Sequence, residues 1–370
     1  MLVCNIAIGQ ITLPPSGNNQ KSSVTQFMGL ASVSVTYSSP NVIDEKGNDR
    51  SGEIWGGLIP YGFSNLYFGL SSEDNPSPWR AGANENTTIE FSHDVIVQGK
   101  KIKAGKYGFF IVTVPEGNWE IILSNNSTSW GSYFYEPKDV AYKLEASPKV
   151  NTYTEFLSYE FTDRNLESCV VELQWEKIAL PIKIEVENIY GLYVDKIRKE
   201  LKGYAGFEYT SYAEASGFCA EHKINLEEAL VWADYAIDGK WVGQKNYMTL
   251  LTKAKVLKAS GKDEESKTYF KKAVNHPTAI IFDVHGLGRK YIATGDIDLA
   301  FDIFSWNAKA HPNQWPVNVG LMRGFSAKGD YKTALKYCKK AQKNVDPKDV
   351  LNVKSLIKLK ALLEQGKDVN

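Results

Sequence analysis

Four cysteines in 370 residues, Cys4, Cys169, Cys219 and Cys338, form no Cys-x-x-Cys pair, which excludes a zinc ribbon and a thioredoxin-like site. The five histidines include no His-x-x-x-His, and neither an EF-hand loop nor an acidic triad accompanies them, so neither a metal nor a cofactor is expected. Catalytic signatures are missing too. No Gly-x-Ser-x-Gly elbow is present, and the Gly203–Gly206 stretch lacks the Lys-Ser/Thr of a phosphate loop. No run reaches the roughly 18 apolar residues that cross a bilayer. Net charge is absent as well: 43 basic and 43 acidic residues cancel.

That zero hides an asymmetry. Residues 1–190 carry 14 Lys and Arg against 22 Asp and Glu, and residues 191–370 carry 29 against 21. The basic half is dominated by lysines on helix faces rather than by an arginine-and-aromatic stripe, which reads as solvated helix faces and argues against nucleic acid. The N-terminus, Met1 to Gly9, is short, apolar and uncharged. It resembles the end of an export signal with a small-x-small cleavage site, but has no basic leader. This predicts an exported, periplasmic or cell-envelope protein, or a cytoplasmic one if the N-terminus is complete as written.

What is present is a period. Gly261, Gly295 and Gly329 stand 34 residues apart, and Pro277, Pro312 and Pro347 keep nearly the same step. A fixed step of this size predicts stacked helix-turn-helix units, because one unit cannot bury its own apolar face. Interior positions follow: Ala254, Leu257, Phe270 and Ala273, then Gly288, Tyr291, Ala300 and Phe304, then Met322, Phe325, Ala334, Cys338 and Ala341. An earlier unit, Gly217, Ala220, Ala229 and Ala236, replaces the turn glycine by Ile224-Asn225, and residues 350–365 make a capping helix.

The first half has the other period. Ser32-Val33-Ser34-Val35-Thr36-Tyr37 alternates, and residues 87–91, 94–97, 101–103, 107–114, 118–123, 140–146, 155–161, 168–175 and 182–186 read as short strands. Gln98-Gly99 and Glu116-Gly117 supply turns. Residues 11–23 read as a polar lead-in and 64–78 as an inserted loop. The expected fold is multidomain, β plus α: an N-terminal antiparallel β-sandwich over 11–188, after a signal remnant at 1–10. A linker or helix at 189–210 then leads to a C-terminal α-α solenoid over 211–370.

The helical units resemble tetratricopeptide repeats in period, turn glycine and small/large alternation, about three and a half of them over 211–365. The Trp-x-x-Leu-Gly opening of that family is degraded here. The first half resembles a bacterial domain of unknown function, family 2911. The carrying segments are Val35–Pro40, Gly56-Gly57-Leu58-Ile59-Pro60-Tyr61-Gly62, Trp79-Arg80-Ala81-Gly82-Ala83-Asn84-Glu85-Asn86-Thr87-Thr88-Ile89, Val97–Ile102, Ala104–Gly108 and Trp130-Gly131. In that family the Pro-Tyr-Gly segment runs almost directly into Trp-Arg; here residues 64–78 intervene. The resemblance implies a mostly β domain, commonly behind an export signal and sometimes followed by helical repeats, with no established activity.

Candidate ligand-binding residues are Arg80, Asn84, Glu85, His93, Trp130 and Tyr135. Arg80 and Glu85 form either a fork for carboxylate, phosphate or sugar hydroxyls, or an Arg–Glu pair that fixes a sheet corner. His93 is either a base oriented by Asp94 or a turn residue. Trp130 and Tyr135 belong to an aromatic cluster that is either a sugar platform or the cap of the sandwich core. His276 and His311 read as turn residues beside Pro277 and Pro312. The reading inclines to a binding or assembly module whose repeat groove recruits a protein or peptide, with a pocket for a carbohydrate or small anion in the β domain. The alternative is a hydrolase or isomerase that joins Arg80, Glu85 and His93 with Trp130 or Tyr135 in one cleft.

Overall fold

The computed structural model describes residues 19–370. The apolar Met1–Gly9 segment, with Pro14, Pro15 and Gly17, lies outside the described residues. The chain divides after Ile189 into two compact units.

Among the described residues, the first unit holds ten strands in two antiparallel sheets. They are β1 (Gln20–Met28), β2 (Ala31–Ser39), β3 (Thr88–Phe91), β4 (Val95–Val97), β5 (Lys100–Ile102), β6 (Gly105–Val112), β7 (Trp119–Ser124), β8 (Val140–Ala146), β9 (Lys149–Thr162) and β10 (Ser168–Glu185). One sheet runs β1-β2-β3-β6-β7-β8 and the other β5-β4-β10-β9. Alternating apolar residues put Val33 and Val35 of β2 and Ile121 and Leu123 of β7 in the interior. Tyr159 of β9 bridges the layers, with ring centroids 4.8 Å from Tyr37 and 6.2 Å from Phe109.

Two sequence expectations are corrected here. Residues 20–23, read as lead-in, open the edge strand β1, which pairs with β2 from Gln20↔Ser39 to Met28↔Ala31. The polar residues that hid it form a hydroxyl ladder, Ser23 with Thr36 at 3.1 Å and Thr25 with Ser34 at 2.8 Å. Such residues suit the wet face of an edge strand. The strands expected at 168–175 and 182–186 are one, β10. Its pairing with β9 is irregular from Gln174 to Ile178, and Glu176 at φ +52° marks the bulge. The bulge breaks the alternation, so the sequence reads as two strands where the chain makes one.

The second unit is helical: α1 (Ile189–Glu200), α2 (Tyr209–His222), α3 (Leu226–Asp238), α4 (Tyr247–Ala259), α5 (Asp263–Val274), α6 (Ile281–Ala293), α7 (Ile297–Ala310), α8 (Trp315–Ala327), α9 (Tyr331–Asn344) and α10 (Val350–Glu364). Helices α2 to α9 form four tetratricopeptide-like pairs and α10 follows alone, more than the three and a half expected. The first pair lacks the glycine signal but makes an equally short turn, with Lys223 and Asn225 both left-handed. Elsewhere Gly261, Gly295 and Gly329 take φ between +74° and +83°. The aspartate after two of them opens the next helix: Asp296 accepts from Leu299 N–H and Asp330 from Thr333 N–H. Gly-Asp thus closes one helix and caps the following one. The expected interior residues Ala254, Phe270, Ala300, Phe304, Ala334 and Cys338 are fully buried. Phe304 of α7 fits against Gly288 of α6 and Gly320 of α8, where an added β-carbon would lie 2.4 Å and 2.6 Å from its ring.

Candidate functional site

The segment between Trp79 and β3 is tightly tied to the sheets around it. Trp79 exchanges both backbone hydrogen bonds with Ile111 of β6, at 3.0 Å and 2.9 Å. The chain then turns through Ala81 at φ +52° and Asn84 at φ +55°. Neither residue is glycine, so the left-handed backbone is costly and must be held from outside. The Ala81 carbonyl accepts from the Tyr159 hydroxyl at 2.7 Å and from Thr87 Oγ1 at 3.2 Å, and Ala83 N–H donates to Ser38 O at 3.0 Å. Arg80 Nη1 donates to the Asn84 carbonyl at 2.8 Å, and the guanidinium carbon lies 4.9 Å from the Tyr133 ring centroid. Gly131 makes room for it: a β-carbon there would stand 2.3 Å from Arg80 Nη1.

This loop separates two cavities. The larger, about 320 Å³, is lined by Arg50, Leu66, Trp79, Arg80, Asn84 and Trp175 among others. Ser64, Leu66 and Pro78 belong to its wall, so the inserted segment, closed by a Ser64↔Ser77 bridge, shapes it. The smaller, about 260 Å³, is lined by Lys21, Glu85, Asn86, Thr88, Lys106 and Trp130 among others. The six sequence candidates are therefore not one constellation. Arg80 and Asn84 line the first cavity, and Glu85 and Trp130 the second. His93 lines neither; its Nδ1 meets Ser92 Oγ at 2.9 Å. Tyr135, 5% exposed, packs on Phe110 and Phe63 with centroids 5.5 Å and 6.1 Å away, and burial pushes its phenol up. Trp130 is 52% exposed, available for stacking.

Arg80 and Glu85 do not pair. Glu85 accepts from Ser38 Oγ at 3.0 Å and faces Lys21 Nζ at 3.4 Å. Burial works against its charge, but its own backbone N–H, Ser38 and Lys21 outweigh that and hold the carboxyl below its usual range.

A further cleft, about 250 Å³, lies on the first helices of successive pairs and went unread in the sequence. Helix α6 supplies Phe282, His285 and Arg289, and α8 supplies Trp315 and Arg323, with Asn352 and Leu359 from α10. Phe282 and Trp315 meet at 6.1 Å. Among the described residues no carboxylate pairs with either arginine. Arg323 donates Nη1 to the Val369 carbonyl at 2.6 Å, while its buried Nε and the buried His285 Nδ1 have no partner. Burial, then the Arg289 charge, lowers the Arg323 guanidinium, against a counter-pull from Asp368. Burial, then Arg323 and Arg289, holds His285 down to about 4, neutral at pH 7. The overlooked signal was periodic: Lys255, Arg289 and Arg323 are themselves 34 residues apart. Lys255 too is lowered, by burial and then Lys290. Among the described residues, no group of three or more His, Cys, Asp and Glu is placed to hold a metal ion, and no helix is long and apolar enough to cross a membrane.

No curated protein matches the chain. Solved structures similar to it include the C-terminal part of a TPR repeat-containing protein from Cytophaga hutchinsonii, at 15% identity over 48% of this chain and 67% of that one, with a TM-score of 0.32. YrrB, described as a TPR protein with an unusual peptide-binding site, aligns at 15% identity over 47% and 88%, with a TM-score of 0.27. The MamA protein aligns at 14% identity over 42% and 82%, with a TM-score of 0.28. Residues 19–184 match the model of the family described as protein of unknown function (DUF2911), and tetratricopeptide-like helix pairs follow them.

Proposed function

We propose that the chain is a binding and assembly module that holds an acidic segment of a protein partner in the cleft of α6, α8 and α10. One observation carries this reading: Arg289 and Arg323, one repeat apart, line the same cleft beside Phe282 and Trp315, and among the described residues no carboxylate is paired to either. Like charges held together raise each other's energy, and an anionic ligand relieves that cost. The aromatic pair gives apolar side chains of the same segment a surface on which to anchor. We place the partner in the cell envelope on the family resemblance. The catalytic alternative gains nothing from the geometry, because Arg80, Glu85 and His93 do not converge.

The test is fluorescence anisotropy with a labelled hexaglutamate peptide carrying one leucine. The full chain should bind it, with affinity falling as salt rises. Arg289→Gln with Arg323→Gln should weaken binding about tenfold or more while helical circular dichroism is kept. Equal binding by the double variant would refute the assignment.

A further inference from the structure

The cavity beside the Trp79 loop holds two guanidinium groups, and among the described residues no carboxylate lines it. Arg80 spends Nη1 on the Asn84 carbonyl, and Arg50 spends Nε and Nη2 on the carbonyls of Val42 and Asn41, at 3.1 Å and 2.6 Å. All three acceptors are neutral. Among the described residues, neither arginine is in an ion pair with a carboxylate, and each guanidinium keeps N–H groups to spare. Ser132 and Trp175, both buried, also line this space, and Ser132 Oγ and Trp175 Nε1 have no hydrogen-bond partner. Buried donors without acceptors are rare and costly, so the wall is rich in donors in a way that packing alone does not require.

Apart from Asn19, Ser64 and Asn84, the rest of the lining is largely apolar. Leu58, Ile59, Leu66 and Pro78 face it, together with Trp79 and Trp175, which stack at 6.2 Å with planes 20° apart. Trp55 packs on both, at 5.7 Å and 5.9 Å. A fully hydrated inorganic anion gains nothing from such walls, and sugar sites commonly use carboxylate acceptors, of which there is none among the described lining residues. A molecule with an apolar body and one carboxylate matches both parts. The left-handed Ala81 and Asn84 give a second, independent sign. Backbone of this kind persists where surrounding contacts hold it, and here it sets the Arg80 side chain against the cavity.

We propose that this cavity binds a small organic acid, its carboxylate on Arg80 and Arg50 and its apolar body along Leu66 and the indole stack. This site is independent of the helical cleft.

Octanoate is the probe, measured by titration calorimetry on the full chain with tryptophan emission recorded in parallel. Octanol tests the chain without the charge, and acetate the charge without the chain. The expected result is saturable octanoate binding with a shift in emission, and binding of octanol and acetate about tenfold or more weaker. Arg80→Gln should cut octanoate affinity about tenfold. Leu66→Trp, which fills the cavity and leaves both arginines in place, should abolish binding, and it decides the matter if Arg80→Gln fails to fold. The proposal is overturned if octanol binds as well as octanoate. It is also overturned if Leu66→Trp leaves affinity unchanged, or if octanoate gives no saturable heat at millimolar concentration.

Discussion

The Tyr159 hydroxyl donates to the Ala81 carbonyl over 2.7 Å, across a sequence separation of 78. This bond ties β9 to the loop that separates the two cavities. Tyr159→Phe removes the donor but leaves Thr87 Oγ1 on the same carbonyl. The expected loss is about 1 kcal/mol, the net worth of a neutral hydrogen bond. Urea unfolding of the β unit would check it, and faster hydrogen exchange at Ala83 N–H would show the loop loosening.

Gly131 and Gly117 both have positive φ, at +56° and +96°, but only Gly131 has a neighbour in the way. At Gly117 an added methyl meets open space, so Gly117→Ala should cost only backbone strain, about 1 kcal/mol. At Gly131 it meets the Arg80 guanidinium at 2.3 Å. Gly131→Ala should therefore cost about 1–3 kcal/mol more and displace Arg80. Denaturation midpoints of the two variants compare these costs directly.

Helix α6 offers an internal control. A methyl added at Gly286 would have no neighbour within 4 Å, whereas at Gly288 the Phe304 ring would stand 2.4 Å away. Gly286→Ala should stabilise by about 0.5–1 kcal/mol through helix propensity. Gly288→Ala should destabilise by about 1–3 kcal/mol because the repeat interface must spread. Equal shifts in Tm for the two variants would contradict this packing.

His285 sets an acid limit on the helical unit. Its folded value of about 4 lies below the ordinary 6.5, so between these values the unfolded chain binds the extra proton. The stability from keeping it neutral is full above pH 6.5 and is lost as pH falls toward 4, by about 3 kcal/mol at most. His285→Gln should flatten this part of the stability profile. An anionic ligand in the cleft favours the charged imidazole, so peptide affinity should rise from pH 7 to 5 in the native chain and not in the variant.

The buried thiols should be inert. Burial pushes Cys169 and Cys338 up to about 11 and raises Cys219 as well. Thiolate is the reactive species, so a chromogenic disulfide should modify these three only as fast as the protein unfolds. Labelling in seconds under native conditions would refute their placement.

The helical unit was legible because its turns are chemical. A residue at φ near +80° is most cheaply glycine, and a helix start is most cheaply aspartate, so Gly295-Asp296 and Gly329-Asp330 show in the sequence. The arginine ladder was equally periodic, but long charged side chains usually mark solvent faces, and only the stacking of α6 on α8 puts Arg289 and Arg323 in one cleft. In the β unit, Gln98-Gly99 showed its hairpin for the same local reason. Strand β1 did not show itself, since a wet edge strand carries the same polar residues as a loop.

By itself, then, the sequence determined what local backbone energetics dictate: two periods, the turns, the repeat step and which alternating residues go inside. Only the tertiary structure decided which side chains share a space. It put Arg80 and Glu85, five residues apart, on opposite sides of one loop, because Ala81 and Asn84 turn the chain back within it. It also brought Arg50, from an earlier part of the same β2–β3 connection, to Arg80's cavity. Spacing along the chain fixes neither outcome, since both depend on where distant strands supply the hydrogen bonds and apolar walls that hold a costly loop in place.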